Sequence, residues 1–292
     1  MAEAIASAFF VRTEILAAAH CNTAARADTV AMKEISSAGN SQLKLAGKLH
    51  RRRHRQAHGL CLLEGVRLVQ DALSMRTAFH TCFISAAAAG AHPALVAQIE
   101  PLCPLYLVSP ELLDRISETV SPQSIVAVVA KPQLPLPAVS ALSLVLDGVR
   151  DPGNAGTLLR TAAAAAVDQV LLGPGCVDPF NGKVMRAAMG AHFRVPLRTL
   201  ENWDALGTLL SAGQSLYVAS AQGGLRYDEV DWSRPCALVL GSEAHGASPQ
   251  VRAGAATVAI PMASATESLN VAAAGAAILF EAARQRRTAK RE

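Results

Sequence analysis

The sequence lacks the usual marks of a membrane, zinc-binding or disulfide-bonded protein. No run of 18 or more residues is both uncharged and strongly apolar, so we expect no transmembrane helix and no membrane partner. The six cysteines form no CxxC pair, and no Cys/His cluster has the spacing of a zinc site. We therefore predict reduced cysteines, no metal ion and a cytoplasmic protein.

Signatures of other ligand-binding and catalytic classes are also absent. The chain has no GxGxxG dinucleotide fingerprint, no Gly-Lys-Ser/Thr phosphate loop and no GxSxG nucleophile elbow. The first absence argues against an adenosine nucleotide-dependent dehydrogenase, which a cofactor-binding screen would detect. Without a nucleophile motif, His245 is read as a loop residue rather than a catalyst.

The chain has enough apolar material for two α/β domains. Of its 292 residues, 51% are hydrophobic, and most of these are Ala, Val and Leu. Continuous apolar runs alternate with helical patterns on both sides of a Pro-rich break at 131–137, which is typical of parallel sheets covered on both faces. We predict an extension, helical or disordered, at 1–31, a first α/β domain at 32–131, a linker at 132–139, a second, parallel-sheet domain at 140–287 and a tail at 288–292.

The same patterns locate individual elements. Strands are predicted at 60–65, 78–85, 105–108 and 125–130 in the first domain, and at 143–146, 169–172, 216–220, 237–240 and 256–260 in the second. Helices are predicted at 41–58, 156–166, 181–190 and 268–287, among others. Functional side chains are expected in the loops after the strands, because ligands of open α/β sheets bind beyond the carboxyl ends of strands.

Positive charge is concentrated near the start of the first domain. The net charge of the chain is +4, yet residues 32–79 alone carry nine Lys/Arg against three acidic residues. This uneven distribution indicates a polyanionic partner that meets the region, although an ordinary solvated helix face is the alternative. The basic helix has little aromatic interleaving, so stacking of nucleic-acid bases on it is not expected.

Three polar loops follow predicted strands of the second domain. The first reads DPGNAGTLLRTA, with Asn154 at a helix-capping position and Arg160 six residues further on. The second, at 241–246, carries Glu243, and the third precedes the last helix, where Ser268 is the predicted cap. Taken singly, each loop can be explained without a function, as a helix cap or as an acidic residue in an ordinary turn. Together they predict one cleft.

These loops resemble the three motifs of the SpoU (TrmH-type) methyltransferases of the SPOUT superfamily. The family patterns NxGxxxRTA, GxExxG and IPMxxxxxSLNVxxA have counterparts, in the same order, in NAGTLLRTA (154–162), GSEAHG (241–246) and IPMASATESLNVAAA (260–274). Two positions depart from the pattern: Ser242 stands where Asn is common, and Ala244 where Gly is common. Neither position carries a side chain that is assigned to chemistry.

The first domain resembles, more weakly, the ribosomal-protein-like substrate-binding domain of the family. The likeness lies in 35–40, the basic helix, Leu63-Glu64-Gly65 and Ser121-Pro122-Gln123. It favours ribosomal RNA over transfer RNA as the substrate. The basic helix would then bind RNA phosphates through Lys44, Lys48, Arg51, Arg52, Arg53 and Arg55.

The resemblance implies methylation of a ribose 2′-hydroxyl by S-adenosyl-L-methionine, without a metal ion, in a homodimer with a C-terminal trefoil knot. The catalytic residues that it implies are Arg160, Asn154, Glu243, Ser268 and Asn270. The residues that it implies for the methyl donor, largely through backbone groups, are Gly241, Ile260, Leu269, Leu240 and Met262. Two alternatives stay open: a transfer RNA 2′-O-methyltransferase, and a knotted RNA-binding or ribosome-assembly factor without catalysis.

Overall fold

The computed structural model describes residues 32–118, 124–210, 213–263 and 268–289. It contains two β-sheets with intervening helices, one on each side of the Pro-rich segment. The predicted α/β class is confirmed. The extension at 1–31, the resemblance at 121–123 and the last three positions of the tail lie outside the described residues. No helix within the described ranges is long and apolar enough to cross a membrane.

The first sheet has five strands in the order β1-β4-β3-β5-β2. In chain order this half comprises β1 (Lys33–Ile35), α1 (Ser41–Lys48), α2 (Arg52–His58), β2 (Leu60–Glu64), α3 (Val66–Ser74), β3 (Phe79–Ile84), α4 (Ala86–Ala91), α5 (Pro93–Ile99), β4 (Leu105–Val108), α6 (Pro110–Asp114) and β5 (Ile125–Ala130). β1, β4 and β3 run parallel, whereas β5 is antiparallel to β3 and β2. The first sheet is therefore mixed.

The prediction of one basic helix at 41–58 is wrong, because the structure divides it into α1 and α2. The chain turns at Leu49, which is buried, and a new helix begins at Arg52. The carbonyls of Leu49 and His50 fall at this break, and each accepts a hydrogen bond at 2.7 Å from Arg55 Nη1. Carbonyls at a helix end need such partners, so the side chain of Arg55 stabilises the break.

The second sheet has seven parallel strands in the order β10-β12-β9-β11-β6-β7-β8. In chain order this half comprises β6 (Leu142–Asp147), α7 (Pro152–Ala164), β7 (Gln169–Leu172), α8 (Gly182–Ala188), a 3-10 turn (Ala191–Phe193), β8 (Leu197–Thr199), α9 (Leu206–Leu209), β9 (Ser215–Ala219), β10 (Leu225–Arg226), β11 (Cys236–Gly241), α10 (Pro249–Arg252), β12 (Ala256–Ala259) and α11 (Val271–Ala289). All nine predicted strands are present in the two sheets. The short strands β1, β8 and β10 have no counterpart among the predictions.

Small residues bring the helices around the three loops close together. α7 packs on α8 and α11. A Cβ on Gly156 of α7 would overlap Ala187 Cβ, and one on Gly275 of α11 would lie 2.5 Å from Leu158 Cδ2. A larger residue at either glycine would force the helices apart. This packing keeps the beginnings of α7 and α11 beside the ends of β6 and β11.

Candidate active site

The predicted functional loops meet at the carboxyl edge of the second sheet. β6 and β11 are adjacent and parallel, and Asp147 lies opposite Gly241 at their ends. α7 follows β6, and α11 follows β12. Because parallel strands place their carboxyl ends at one edge, the three loops lie on the same side of the sheet, as expected for a ligand site.

A chain of hydrogen bonds joins one residue from each loop. Asn154 Nδ2 donates to Glu243 Oε1 at 2.6 Å, and Asn270 Nδ2 donates to Asn154 Oδ1 at 3.0 Å. The bonded residues are 89 and 116 positions apart in the sequence. We call Asn154, Glu243 and Asn270 the amide–carboxylate cluster. Its two amides hold one carboxylate at a fixed place on the edge of the sheet.

Asn154 does not cap α7, contrary to the prediction. The cap is Asp151, whose Oδ1 accepts the backbone N–H of Asn154 at 2.7 Å, and Pro152 occupies the first turn. α7 therefore begins at Pro152 rather than at the predicted residue 156. Because Asp151 satisfies the helix end, the side chain of Asn154 is available to bond Glu243.

The cap of α11 also differs from the prediction. Asn270 Oδ1 accepts the backbone N–H groups of Ala272 at 2.9 Å and Ala273 at 3.2 Å, so Asn270 caps the helix in place of Ser268. α11 accordingly begins at Val271. Ser268 is exposed and forms no hydrogen bond with another described residue. The amide of Asn270 thus serves two purposes: its oxygen holds the helix end and its nitrogen holds Asn154.

A closed turn positions Glu243. Ser242 and Gly246 exchange two backbone hydrogen bonds of 3.0 and 2.8 Å, and Ser242 Oγ accepts the backbone N–H of His245 at 3.1 Å. A Cβ on Gly241 would overlap the backbone of Gly246, so the turn can fold back on its strand only at a glycine. The serine that departs from the family pattern is therefore a structural part of this turn.

A cavity of about 440 Å³ opens beside the cluster. It is lined by 242–249 together with Asp147, Gly148, Arg150, Pro174 and Gly175. Asp147 and Arg150 are candidate site residues that sequence reasoning missed. Asp147 is buried, and its Oδ2 accepts the backbone N–H of Ser248 at 2.6 Å, which ties the end of β6 to the turn of Glu243. Its position as the last residue of a strand is the signal that could have found it.

Arg160 lies outside the hydrogen-bonded cluster. It follows Asn154 by six helical residues, which places it about 9 Å further along α7 and about 120° around the axis. Its side chain is exposed and has no hydrogen-bond or ion-pair partner among the described residues. The structure thus brings together three of the five predicted catalytic residues and leaves Arg160 and Ser268 free to contact a ligand.

The residues predicted for the methyl donor flank the cluster. Leu240 and Gly241 are buried at the end of β11, Ile260 and Met262 are half-buried, and Leu269 is 42% exposed. The side chain of Leu240 faces α11, which leaves its backbone for a ligand. The buried backbone and the exposed apolar side chain suit an adenosine, and the nearby carboxylate suits a sulfonium cation. These residues fit S-adenosyl-L-methionine.

The described ranges contain no group of three His, Cys, Asp or Glu that could hold a metal ion. Five of the six predicted RNA contacts form an exposed surface on and beside α1 and α2. We call Lys44, Lys48, Arg51, Arg52 and Arg53 the basic surface. Desolvation lowers the pKa of His54, and the charges of Arg53 and Lys48 lower it further, so this histidine is neutral at pH 7.

Arg55 is not part of the basic surface, and the prediction that it contacts RNA is wrong. It is 3% exposed, and its Nε and Nη2 donate to Asp178 Oδ2 at 3.1 and 2.6 Å. Its Nη1 is bonded to the two carbonyls between α1 and α2. All three guanidinium nitrogens are therefore occupied within the protein, and none faces a phosphate.

Comparison with known proteins places these features in a family. Residues 141–280 match the SpoU rRNA Methylase family, and residues 40–127 match the MRM3-like substrate binding domain. Over 250 residues the chain is 34% identical to the 23S rRNA (guanosine(2553)-2′-O)-methyltransferase RlmP of Bacillus subtilis, covering 85% of this chain and 98% of that protein. The chain belongs to the SpoU rRNA methylase family.

Solved structures of SpoU proteins share the fold. The AdoMet-bound rRNA methyltransferase from Sinorhizobium meliloti is 30% identical, with a TM-score of 0.76 over 86% of this chain and 97% of that one. The SpoU methyltransferase AviRb from Streptomyces viridochromogenes, in complex with AdoMet, is 26% identical, with a TM-score of 0.76 over 85% of this chain and 99% of that one. The SpoU match contains the whole amide–carboxylate cluster, and the substrate-binding match contains the whole basic surface.

Proposed function

We propose that this SpoU protein transfers a methyl group from S-adenosyl-L-methionine to a ribose 2′-hydroxyl of ribosomal RNA. The amide–carboxylate cluster carries the proposal, because it joins one residue from each SpoU motif at the ligand-binding edge of the sheet. The name of RlmP and the two AdoMet-bound structures support the reaction and the donor. That name and the substrate-binding match favour ribosomal over transfer RNA.

The reaction requires alignment of two groups and the loss of one proton. S-adenosyl-L-methionine supplies a methyl group that is already activated as a sulfonium, so no metal is needed. Gly241, Ile260 and Leu269 hold the donor against the sheet edge. Glu243 places a negative charge beside it, and the amide hydrogen bond from Asn154 keeps that charge in position. Ser268 is exposed at the same edge and is available to bond the ribose.

Arg160 is assigned to RNA binding beside the reacting hydroxyl. As its oxygen gains the methyl group from the sulfonium, the ribose hydroxyl loses its proton to solvent water. An arginine is a poor acceptor for that proton because a guanidinium stays protonated at neutral pH. A planar guanidinium is well suited to bind a phosphate and orient the neighbouring ribose. The side chain of Arg160 is exposed and has no partner within the described part of the chain, so it is available for this role.

The two sheets divide the work in this proposal. Residues 32–131 bind RNA, residues 140–287 carry out methyl transfer, and residues 132–139 link them. The basic surface binds the RNA backbone, because five exposed cations in one region attract phosphates without reading sequence. RNA affinity should therefore fall steeply with salt.

We also propose a C-terminal trefoil knot, a homodimer and a cytoplasmic location. The family resemblance supports the knot and the dimer. Phe280, which is 48% exposed on α11, offers an apolar contact to a second copy. The five described cysteines are free thiols, which agrees with a reducing compartment.

A labelling experiment tests the function. The purified protein is incubated with methyl-labelled S-adenosyl-L-methionine and RNA from unmodified ribosomes or total RNA, and the label is mapped by resistance to alkaline cleavage. We expect label in one ribosomal RNA at a protected 3′ linkage. Label in transfer RNA would keep the chemistry and overturn the substrate. No label, despite binding of the donor, would favour the non-catalytic RNA-binding factor.

An Arg160→Ala variant separates an enzyme from that factor. We expect label incorporation to fall by about 100-fold, as for loss of a group that positions charge in a reaction. Binding of S-adenosyl-L-methionine should stay unchanged, since Arg160 is not among the donor contacts. Arg234→Ala removes an exposed arginine that precedes β11, away from the three loops, and serves as the control.

A further inference from the structure

A buried ion pair joins the two α/β halves of the chain. Arg55 of α2 contacts Asp178, which lies in the connection between β7 and α8, and the exposed fractions of their side chains are 4% and 15%. Asp178 Oδ1 also accepts the backbone N–H of Phe180 at 3.0 Å, so the carboxylate is fixed on its own side. Burying two charges costs about as much as their attraction returns. A pair of this kind fixes geometry more than it adds stability.

Three other contacts join the two halves. Arg186 Nη1 of α8 lies 3.4 Å from Glu64 Oε1 of β2, with exposed side-chain fractions of 25% and 3%, but neither residue lies on α2. Arg194 Nη2 is 2.9 Å from Asp71 Oδ1 of α3, and Lys131 Nζ lies 5.3 Å from the centre of the Phe180 ring. Arg194 is 42% exposed, and exposed pairs contribute little on their own. The Arg55–Asp178 pair is therefore the main polar contact that fixes α2 on the second half of the chain.

The segment that carries Asp178 also forms one wall of the cavity beside Glu243. Pro174 and Gly175, four and three residues earlier, line that cavity. Between them and Asp178, the backbone N–H of Val177 donates to Val149 O at 3.0 Å. Val149 lies in the loop between β6 and α7, the loop that leads to Asn154. The ion pair is thus connected through a few bonded residues to the methyl-transfer site.

We propose that the Arg55–Asp178 pair sets the position of the basic surface relative to the methyl-transfer site, and so determines where bound RNA presents its ribose. Arg52 and Arg53 precede Arg55 on the same short helix, and Arg51 is the residue just before it, so fixing Arg55 fixes these three cations. Arg55 also bonds the carbonyls of Leu49 and His50, which follow the helix that carries Lys44 and Lys48. Arg55 and Asp178 are positioning residues, because neither touches a reacting atom. The inference rests on the proposed function, since it requires RNA on the basic surface.

An Asp178→Asn variant tests the inference. It keeps the size of the side chain and an oxygen for Phe180, but it removes the charge that balances Arg55. Asp228→Asn removes the same charge from an exposed pair with Arg226 and is the matched control. The double variant Arg55→Met with Asp178→Leu leaves no unpaired charge in the protein interior. It therefore tests the inference even where the single variant folds poorly because Arg55 has lost its partner.

Three quantities are measured for each protein: affinity for S-adenosyl-L-methionine, affinity for RNA, and the rate of methyl transfer at saturating RNA per donor-binding molecule. We expect both affinities of Asp178→Asn to stay within about threefold of wild type, because the donor contacts and the exposed cations are intact. We expect its rate to fall by about 10- to 100-fold, because small misplacements of reacting groups cost that much. The double variant should show the same fall, and Asp228→Asn none.

A wild-type rate per donor-binding molecule in both variants would overturn the inference. The inference would also be overturned if total activity fell only in proportion to the amount of protein that still binds the donor, because that pattern indicates a role in stability alone. Failure of the proposed function is distinguishable, since the wild-type protein itself would then transfer no methyl group to RNA.

Discussion

Replacement of Asn154 by aspartate tests whether its hydrogen bond to Glu243 supports methyl transfer. The change keeps the size of the side chain but exchanges the Nδ2 donor, 2.6 Å from Glu243 Oε1, for a carboxylate oxygen. Both side chains are open to solvent, so the dielectric constant of water applies, and two unit charges at this distance repel by about 1.6 kcal/mol. The neighbouring carboxylate therefore raises the pKa of the introduced carboxyl above its usual value.

At pH 7.5 the Asn154→Asp variant presents two adjacent carboxylates without a donor between them, and we expect its methyl-transfer rate to fall by about 100-fold. As the pH falls toward 5, the introduced carboxyl is protonated in a growing fraction of the molecules, and it then donates to Glu243 as the amide does. The rate relative to wild type should rise by more than about tenfold between these pH values. Initial rates of label incorporation measure this ratio. A ratio that stays constant with pH, or a wild-type rate at pH 7.5, would refute the reasoning.

A Cβ at Gly241 would overlap the turn that carries Glu243. The Gly241→Ala variant should therefore bind S-adenosyl-L-methionine more than about tenfold more weakly, and its free energy of unfolding should be lower by roughly 1–3 kcal/mol. Calorimetric titration and urea unfolding measure these effects, with Gly207→Ala as the control because a Cβ there meets no atom; wild-type affinity would contradict the overlap. Burial lowers the pKa of His192 to about 4, so the folded state holds this histidine neutral while the unfolded state protonates it below about pH 6.5. The free energy of unfolding should therefore fall as the pH drops below about 6.5, by about 2 kcal/mol at pH 5. The His192→Gln variant should therefore lose less stability than the wild type when the pH falls from 7 to 5. The urea midpoint of each protein measures this loss, and an equal fall of the midpoint in both proteins would disprove the prediction.

The meeting of the three motif loops was predictable because each loop follows a mainly apolar strand. Carboxyl ends of parallel strands meet at one edge, which is why Asn154, Glu243 and Asn270 lie together. The helix caps were not predictable from the same reasoning. Asp151 and Asn154 both suit a cap, and the choice depends on where Pro152 starts the helix.

The burial of Arg55 could not be predicted from the residues around it in the sequence. It follows three exposed arginines on a basic segment, and nothing nearby distinguishes it from them. Its partner Asp178 is 123 positions away, so only the folded chain reveals the pair. The break at Leu49 is hidden for a similar reason: the nearby glycine, Gly47, lies inside α1, and the folded chain is needed to show that Arg55 satisfies the carbonyls at the break. Short edge strands such as β8 likewise form because a neighbouring strand pairs with them.

The hydrogen bond between Asn154 and Asn270 has a consequence for biosynthesis. A ribosome adds 116 residues between the two amides, and it completes β7, β9, β11 and β12 in that interval. A nascent chain that ends before α11 can form most of the second sheet, yet it has no partner for Asn154 Oδ1 and no cap for the helix that holds the edge together. On the role proposed for this cluster, we expect methylating activity only in chains that include α11, so that unfinished chains do not modify the ribosome that is producing them.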